Sequence, residues 1–120
     1  MITYRRTGGF AGEDTIMTLN EEGVYTINRT ISGRKILEKS GRIDASKVTR
    51  LFERFEEIGF FSLKENYSPE HRVYDGFIYS LGFTKGDRKK IVTSETETNH
   101  PDSFTTILEE VEKILILVSE

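Results

Sequence analysis

The sequence predicts an α+β fold: an antiparallel sheet of four to five strands with two helices packed on one face, in the order ββ(β)αββα. Three observations predict it. Apolar and polar residues alternate in the segments up to Ile31 and again from Phe77 to Phe83, which is the period of a strand. The spacing then changes to threes and fours at Val48, Leu51, Phe52, Phe55 and Ile58, and again from Phe104 to Val118, laying an apolar stripe along one side of a helix. The connections are short or rich in turn residues, which favours hairpins over parallel crossovers.

Ile2 to Thr7 alternates Ile2, Tyr4 and Arg6 against Thr3, Arg5 and Thr7 and reads as the first strand. Gly8, Gly9 and Gly12 break it with a loop. Thr15 to Leu19 and Val24 to Ile31 are two further strands, joined as a hairpin by Asn20-Glu21-Glu22-Gly23. Ser32 to Arg42 is ambiguous: Ile36 and Leu37 suit a strand, but Gly33, Ser40 and Gly41 interrupt it. The first helix starts after Asp44 as N-cap and stops at Gly59. Phe60, Phe61 and Leu63 follow, and Lys64 to Val73 reads as a polar loop. Phe77, Tyr79, Leu81 and Phe83 give one strand an aromatic face; Lys85-Gly86-Asp87-Arg88 is the turn, and Lys89 to Ser94 returns. Pro101 suits the first turn of the last helix.

A length of 120 residues fits a single domain, residues 1–120. Hydrophobic content is lean at 36 %, but eight Phe and five Tyr supply bulk for a core. A net charge of −3 speaks against nonspecific nucleic-acid binding, which needs a basic surplus. The absence of cysteine excludes disulfides and thiolate metal sites. Met1 to Arg6 lacks a signal-peptide run, and Ile114 to Val118 is too short to span a bilayer. The expected location is the cytoplasm, with no membrane partner.

The signatures of P-loop, zincin and serine-hydrolase chemistry are missing, and no enzyme activity, cofactor or metal is expected. His71 and His100 fall in separate polar segments and read as surface histidines. Glu13, Asp14 and Asp75 read as solvent-facing or capping carboxylates. The basic group Lys85, Arg88, Lys89 and Lys90 reads as a solvated turn and a charge-protected edge. Asp75-Gly76 reads as turn geometry ahead of a strand.

Gly8-Gly9-Phe10-Ala11-Gly12 is the most unusual piece of the chain. A phosphate-binding loop would need a helix N-terminus next, and here a strand follows with no lysine in the loop. Two readings stand: a tight connection with Phe10 tucked into the core, or a recognition loop with Phe10 projecting as an anchor.

That pentapeptide after a first strand, Phe60-Phe61-Ser62-Leu63 after a helix, Asp75-x-Phe77-x-Tyr79 opening a strand, and Pro101 before a last helix occur in this order. The series resembles the emfourin family, small protein inhibitors of thermolysin-like zinc metallopeptidases, and a set of bacterial and archaeal domains with the same layout. The resemblance runs from about Ile2 to Val118, and Glu13 stands where the family commonly has an apolar residue. It implies a non-catalytic protein-binding domain, monomeric or weakly dimeric, that blocks a metallopeptidase cleft. The implied contact residues are Gly8, Gly9, Phe10, Ala11, Gly12, Glu13, Asp14 and Asp75. Peptidases of that class prefer to cleave before a bulky apolar side chain, and Gly9-Phe10 presents that pattern, with Glu13 or Asp14 then near the zinc. An interaction or homo-oligomeric domain without inhibitory activity is the alternative; a small-molecule enzyme using scattered carboxylates has the least support.

Overall fold

Alternation in the first third of the chain produces a four-stranded meander: β1 (Ile2–Gly8), β2 (Glu13–Leu19), β3 (Val24–Ile31) and β4 (Arg34–Arg42). Helix α1 (Ala45–Glu57), a 3₁₀ turn (Phe60–Ser62), β5 (Asn66–Tyr67), β6 (Phe77–Lys85), β7 (Arg88–Glu95) and α2 (Asp102–Ser119) follow. The computed structural model describes residues 1–68, 76–95 and 98–119.

All the strands join one sheet in the order β4-β3-β2-β1-β6-β7-β5. Among the described residues it has seven strands where the sequence predicts four to five, and the order of elements is ββββαβββα. The two additions have different causes. Ser32-Gly33 forms a tight turn with both residues at positive φ, the geometry that matches hairpin twist, so the ambiguous stretch to Arg42 pairs with β3 as an edge strand. Asn66 and Tyr67, inside the predicted polar loop, lie parallel to Thr93 and Ser94 of β7. All other pairings are antiparallel.

Local chemistry sets the element ends. The Asn20 side chain accepts from the backbone N–H of Glu22 (3.0 Å) and Val24 (2.9 Å), closing the β2–β3 turn as an Asx turn. Asp44 caps α1 by accepting from Ser46 N–H at 3.0 Å, and Gly59, at φ 70°, ends it. Pro101 immediately precedes α2 and accepts from the backbone N–H groups of Phe104 and Thr105.

Both helices lie on one face of the sheet, because the inward residues of β1, β2, β3, β6 and β7 share one core with both apolar stripes. Phe83 sits at its centre, stacked on Phe55 at 4.7 Å and edge-on to Phe52 at 5.2 Å and Phe60 at 6.2 Å. Such ring pairs add about 0.5–1.5 kcal/mol each beyond area burial. Arg54 of α1 reaches Glu110 of α2 at 3.2 Å and ties the helices together.

The basic β6–β7 turn is exposed from Lys85 to Lys89, as expected, and also touches the helix layer, with Lys85 pairing with Glu56 at 3.0 Å and the Arg88 guanidinium 3.9 Å over the Phe61 ring. One local expectation changes. His100, expected at the surface, is half-buried between β7 and α2, with Nδ1 at 2.8 Å from Ser94 Oγ and Nε2 at 2.9 Å from Thr105 Oγ1. Burial lowers its pKa, opposed by the Asp102 charge. Among the described residues, no helix is long and apolar enough to cross a membrane.

Candidate functional site

The register of β1 and β2 pairs Gly8 with Glu13 and leaves Gly9-Phe10-Ala11-Gly12 as a four-residue loop. Gly12 N–H donates to Gly9 carbonyl at 3.2 Å, closing the turn with Phe10 and Ala11 at its apex. Neighbours grip the loop on both sides. Gly9 N–H donates to Gly76 carbonyl at 3.1 Å, while Ser32 N–H donates to Gly12 carbonyl at 2.9 Å and Ser32 Oγ to Ala11 carbonyl at 2.9 Å.

Glycine is required at positions 8 and 9. Both have positive φ, and a Cβ on Gly8 would stand 2.5 Å from Gly76 carbonyl, while one on Gly9 would stand 2.6 Å from the Phe77 ring. These contacts seat the loop against the start of β6. Its one large side chain is left outside: Phe10 is 93 % exposed. Of the two sequence readings, the tight connection holds for the backbone, and the ring projects from it.

The carboxylates beside the loop point to opposite faces of the sheet. Asp14 is on the open face, where Arg5 donates to both of its oxygens at 3.1 and 3.0 Å. Glu13 is on the helix face, accepting from Arg6 Nε at 2.7 Å and Thr15 Oγ1 at 2.9 Å. Burial pushes the Glu13 carboxyl up, but these bonds and the Arg6 and Arg29 charges outweigh it and hold it below the usual range. Asp75 and His71 lie outside the described residues.

Sequence reasoning missed the network behind Glu13. Cross-strand register lines up Arg29, Thr15, Arg6 and Tyr79 in one row on the helix face. Arg29 Nε donates to the fully buried Thr15 Oγ1 at 3.0 Å. Arg6 approaches Glu112 of α2 at 3.8 Å, and Tyr4 OH donates to the same carboxylate at 2.8 Å. Burial and that bond raise the Tyr4 pKa far above its ordinary value. The Arg6 guanidinium also lies 5.5 Å from the Phe77 ring centre. The row braces the loop end of the sheet against α2. One signal was legible: Arg6 occupies the same alternation as Ile2 and Tyr4, so it had to enter the helix side and find partners there.

The class defined by this geometry is a single-sheet α+β domain that displays one aromatic ring on a braced, glycine-framed hairpin. The chain belongs to the family described as a domain of unknown function (DUF6438), whose model matches residues 1–115. No curated protein matches it.

Proposed function

We propose that this domain is a non-catalytic protein-binding module that inhibits a thermolysin-like zinc metallopeptidase, with the Gly8–Gly12 loop as its contact. The observation that carries the reading is the 93 % exposed Phe10 ring at the apex of a loop whose backbone is bonded on both flanks. A rigid loop enters a cleft without the ordering cost of a flexible one, and the same rigidity slows cleavage. The target class rests on the emfourin-like motif series, and the apolar pocket of such peptidases suits Phe10. Asp14 is the carboxylate better suited to turn toward the metal, because its exposed pair with Arg5 is screened by solvent whereas Glu13 is held by two partners. The domain then acts in the cytoplasm, as a monomer or weak homodimer.

The test is titration of the purified chain against a panel of thermolysin-like peptidases. Inhibition at micromolar concentration or below is expected from at least one. Phe10→Ala should weaken it by about 2 kcal/mol or more, as loss of a central anchor does. Inhibition that survives Phe10→Ala removes the loop from the mechanism, and a panel without inhibition removes the target class.

A further inference from the structure

The two sides of the sheet end differently. One ends in β5, two residues long, and very short edge strands are a common protection against unwanted pairing. The other ends in β4, nine residues long, longer than a typical strand. Its ladder with β3 shifts register only between Arg29 and Thr30 and runs regularly from the Arg29–Leu37 pair to the Val24–Arg42 pair. Leu37 to Arg42 therefore forms a straight edge whose outward backbone groups pair with no strand among the described residues. Toward its end Ser40 is small, and Gly41 has no room for a Cβ because the Tyr25 hydroxyl would stand 2.7 Å from it.

Charge selects what that edge takes. On β4 Lys35 pairs with Glu38 at 2.6 Å, and Arg34 and Arg42 stand exposed at its two ends, in a chain of net charge −3. Two such edges brought together would oppose like charges, so a second copy is disfavoured. An acidic strand meets complementary charge along the same edge. The edge also alternates N–H donors and C=O acceptors, which matches a peptide backbone, whereas nucleic-acid phosphates offer acceptors only.

We infer that the outer edge of β4 binds an acidic, extended segment of a partner protein by strand addition, a recognition mode in which main-chain bonds hold the peptide and side chains select it. This surface is independent of the Phe10 loop.

The test uses the whole chain and a fluorescein-labelled peptide alternating glutamate and valine, followed by fluorescence polarisation and by backbone amide shifts in NMR. The acidic peptide should bind and perturb the amides of Leu37 to Arg42, and methylating alternate peptide nitrogens should weaken it about tenfold or more. Arg34→Glu with Arg42→Glu, exposed positions where the fold should persist by circular dichroism, should weaken it about tenfold and let the lysine–valine counterpart bind. The proposal is overturned if wild type binds the lysine–valine peptide equally well. It also fails if a single-stranded oligothymidylate displaces the acidic peptide, or if the shifts fall on Lys85 to Lys90 or the Phe10 loop.

Discussion

Gly8 and Gly33 show how differently two glycines at positive φ constrain one chain. At Gly8 a side chain meets the carbonyl oxygen of Gly76, a backbone atom that cannot swing away, whereas at Gly33 the space is open. Gly33→Ala should therefore cost only the left-handed strain of an L-residue, about 1–2 kcal/mol. Gly8→Ala should cost about 2–4 kcal/mol, because the β1–β6 contact must also open. Urea denaturation of the two variants checks the order, and equal losses would show that the loop is not seated on Gly76. Phe10→Ala, by contrast, should change stability by less than about 0.5 kcal/mol, because the ring touches so little of the protein. Stability and partner binding are thus separable at this residue. Part of this was legible: glycines flanking an aromatic residue announced a turn. The exposure of Phe10 was not, because it depends on Gly76 and Ser32, which are distant along the chain.

Elements with a clear period were legible, and those created by pairing were not. The stripes of α1 and α2 and the alternation of β1, β2, β3 and β6 are inscribed in local spacing, and β7 is legible as the return from the Lys85–Arg88 turn. Strand β4 is an edge, exposed on one face and half-buried on the other at Leu37, Lys39 and Gly41, of which only Leu37 is a large apolar residue, so no apolar alternation marks it; its strand character comes from the Ser32-Gly33 turn and the ladder to β3. Strand β5 comes from pairing, with Thr93 N–H donating to Glu65 carbonyl at 2.9 Å and the next two residues lying alongside β7. His100 belongs to this scale too, since it joins β7 to the start of α2 through Ser94 and Thr105. Its pKa is lowered by burial in the fold, so near its ordinary value of 6.5 the unfolded chain binds the proton more readily than the native one. Its contribution is present above the ordinary value of 6.5 and is lost as pH falls below it, through the lowered value of the folded state. Thermal melts at pH 8 and pH 5.5 should show a larger drop for the wild type than for His100→Gln, a comparison in which the titration of every other group is shared. Identical drops would mean that His100 is as easily protonated in the fold as outside it.

The whole molecule is a slab of 39 × 33 × 22 Å, thin because a single layer of helices covers a single sheet. Its connectivity joins two local modules, the β1–β4 meander and the β6–β7 hairpin, through the central pairing of β1 with β6, which brings Ile2 to Phe83 and Gly8 to Phe77. Each module closes short loops, but the β1–β6 seam closes the chain across all of β2 to β5 and α1, and the entropy of that closure is lost before its contacts form. Refolding should therefore take milliseconds to seconds, as in other β-rich domains dominated by distant pairings. Leu81, fully buried on β6 and opposite Tyr4 of β1, lies on the seam, and Leu81→Ala should act mainly by slowing folding. Leu115 packs α2 onto a sheet that must already exist, so Leu115→Ala should act mainly by speeding unfolding. Stopped-flow chevrons of the two variants separate these effects. Microsecond refolding, or a Leu81→Ala effect confined to the unfolding arm, would move the barrier away from the joining of the two modules.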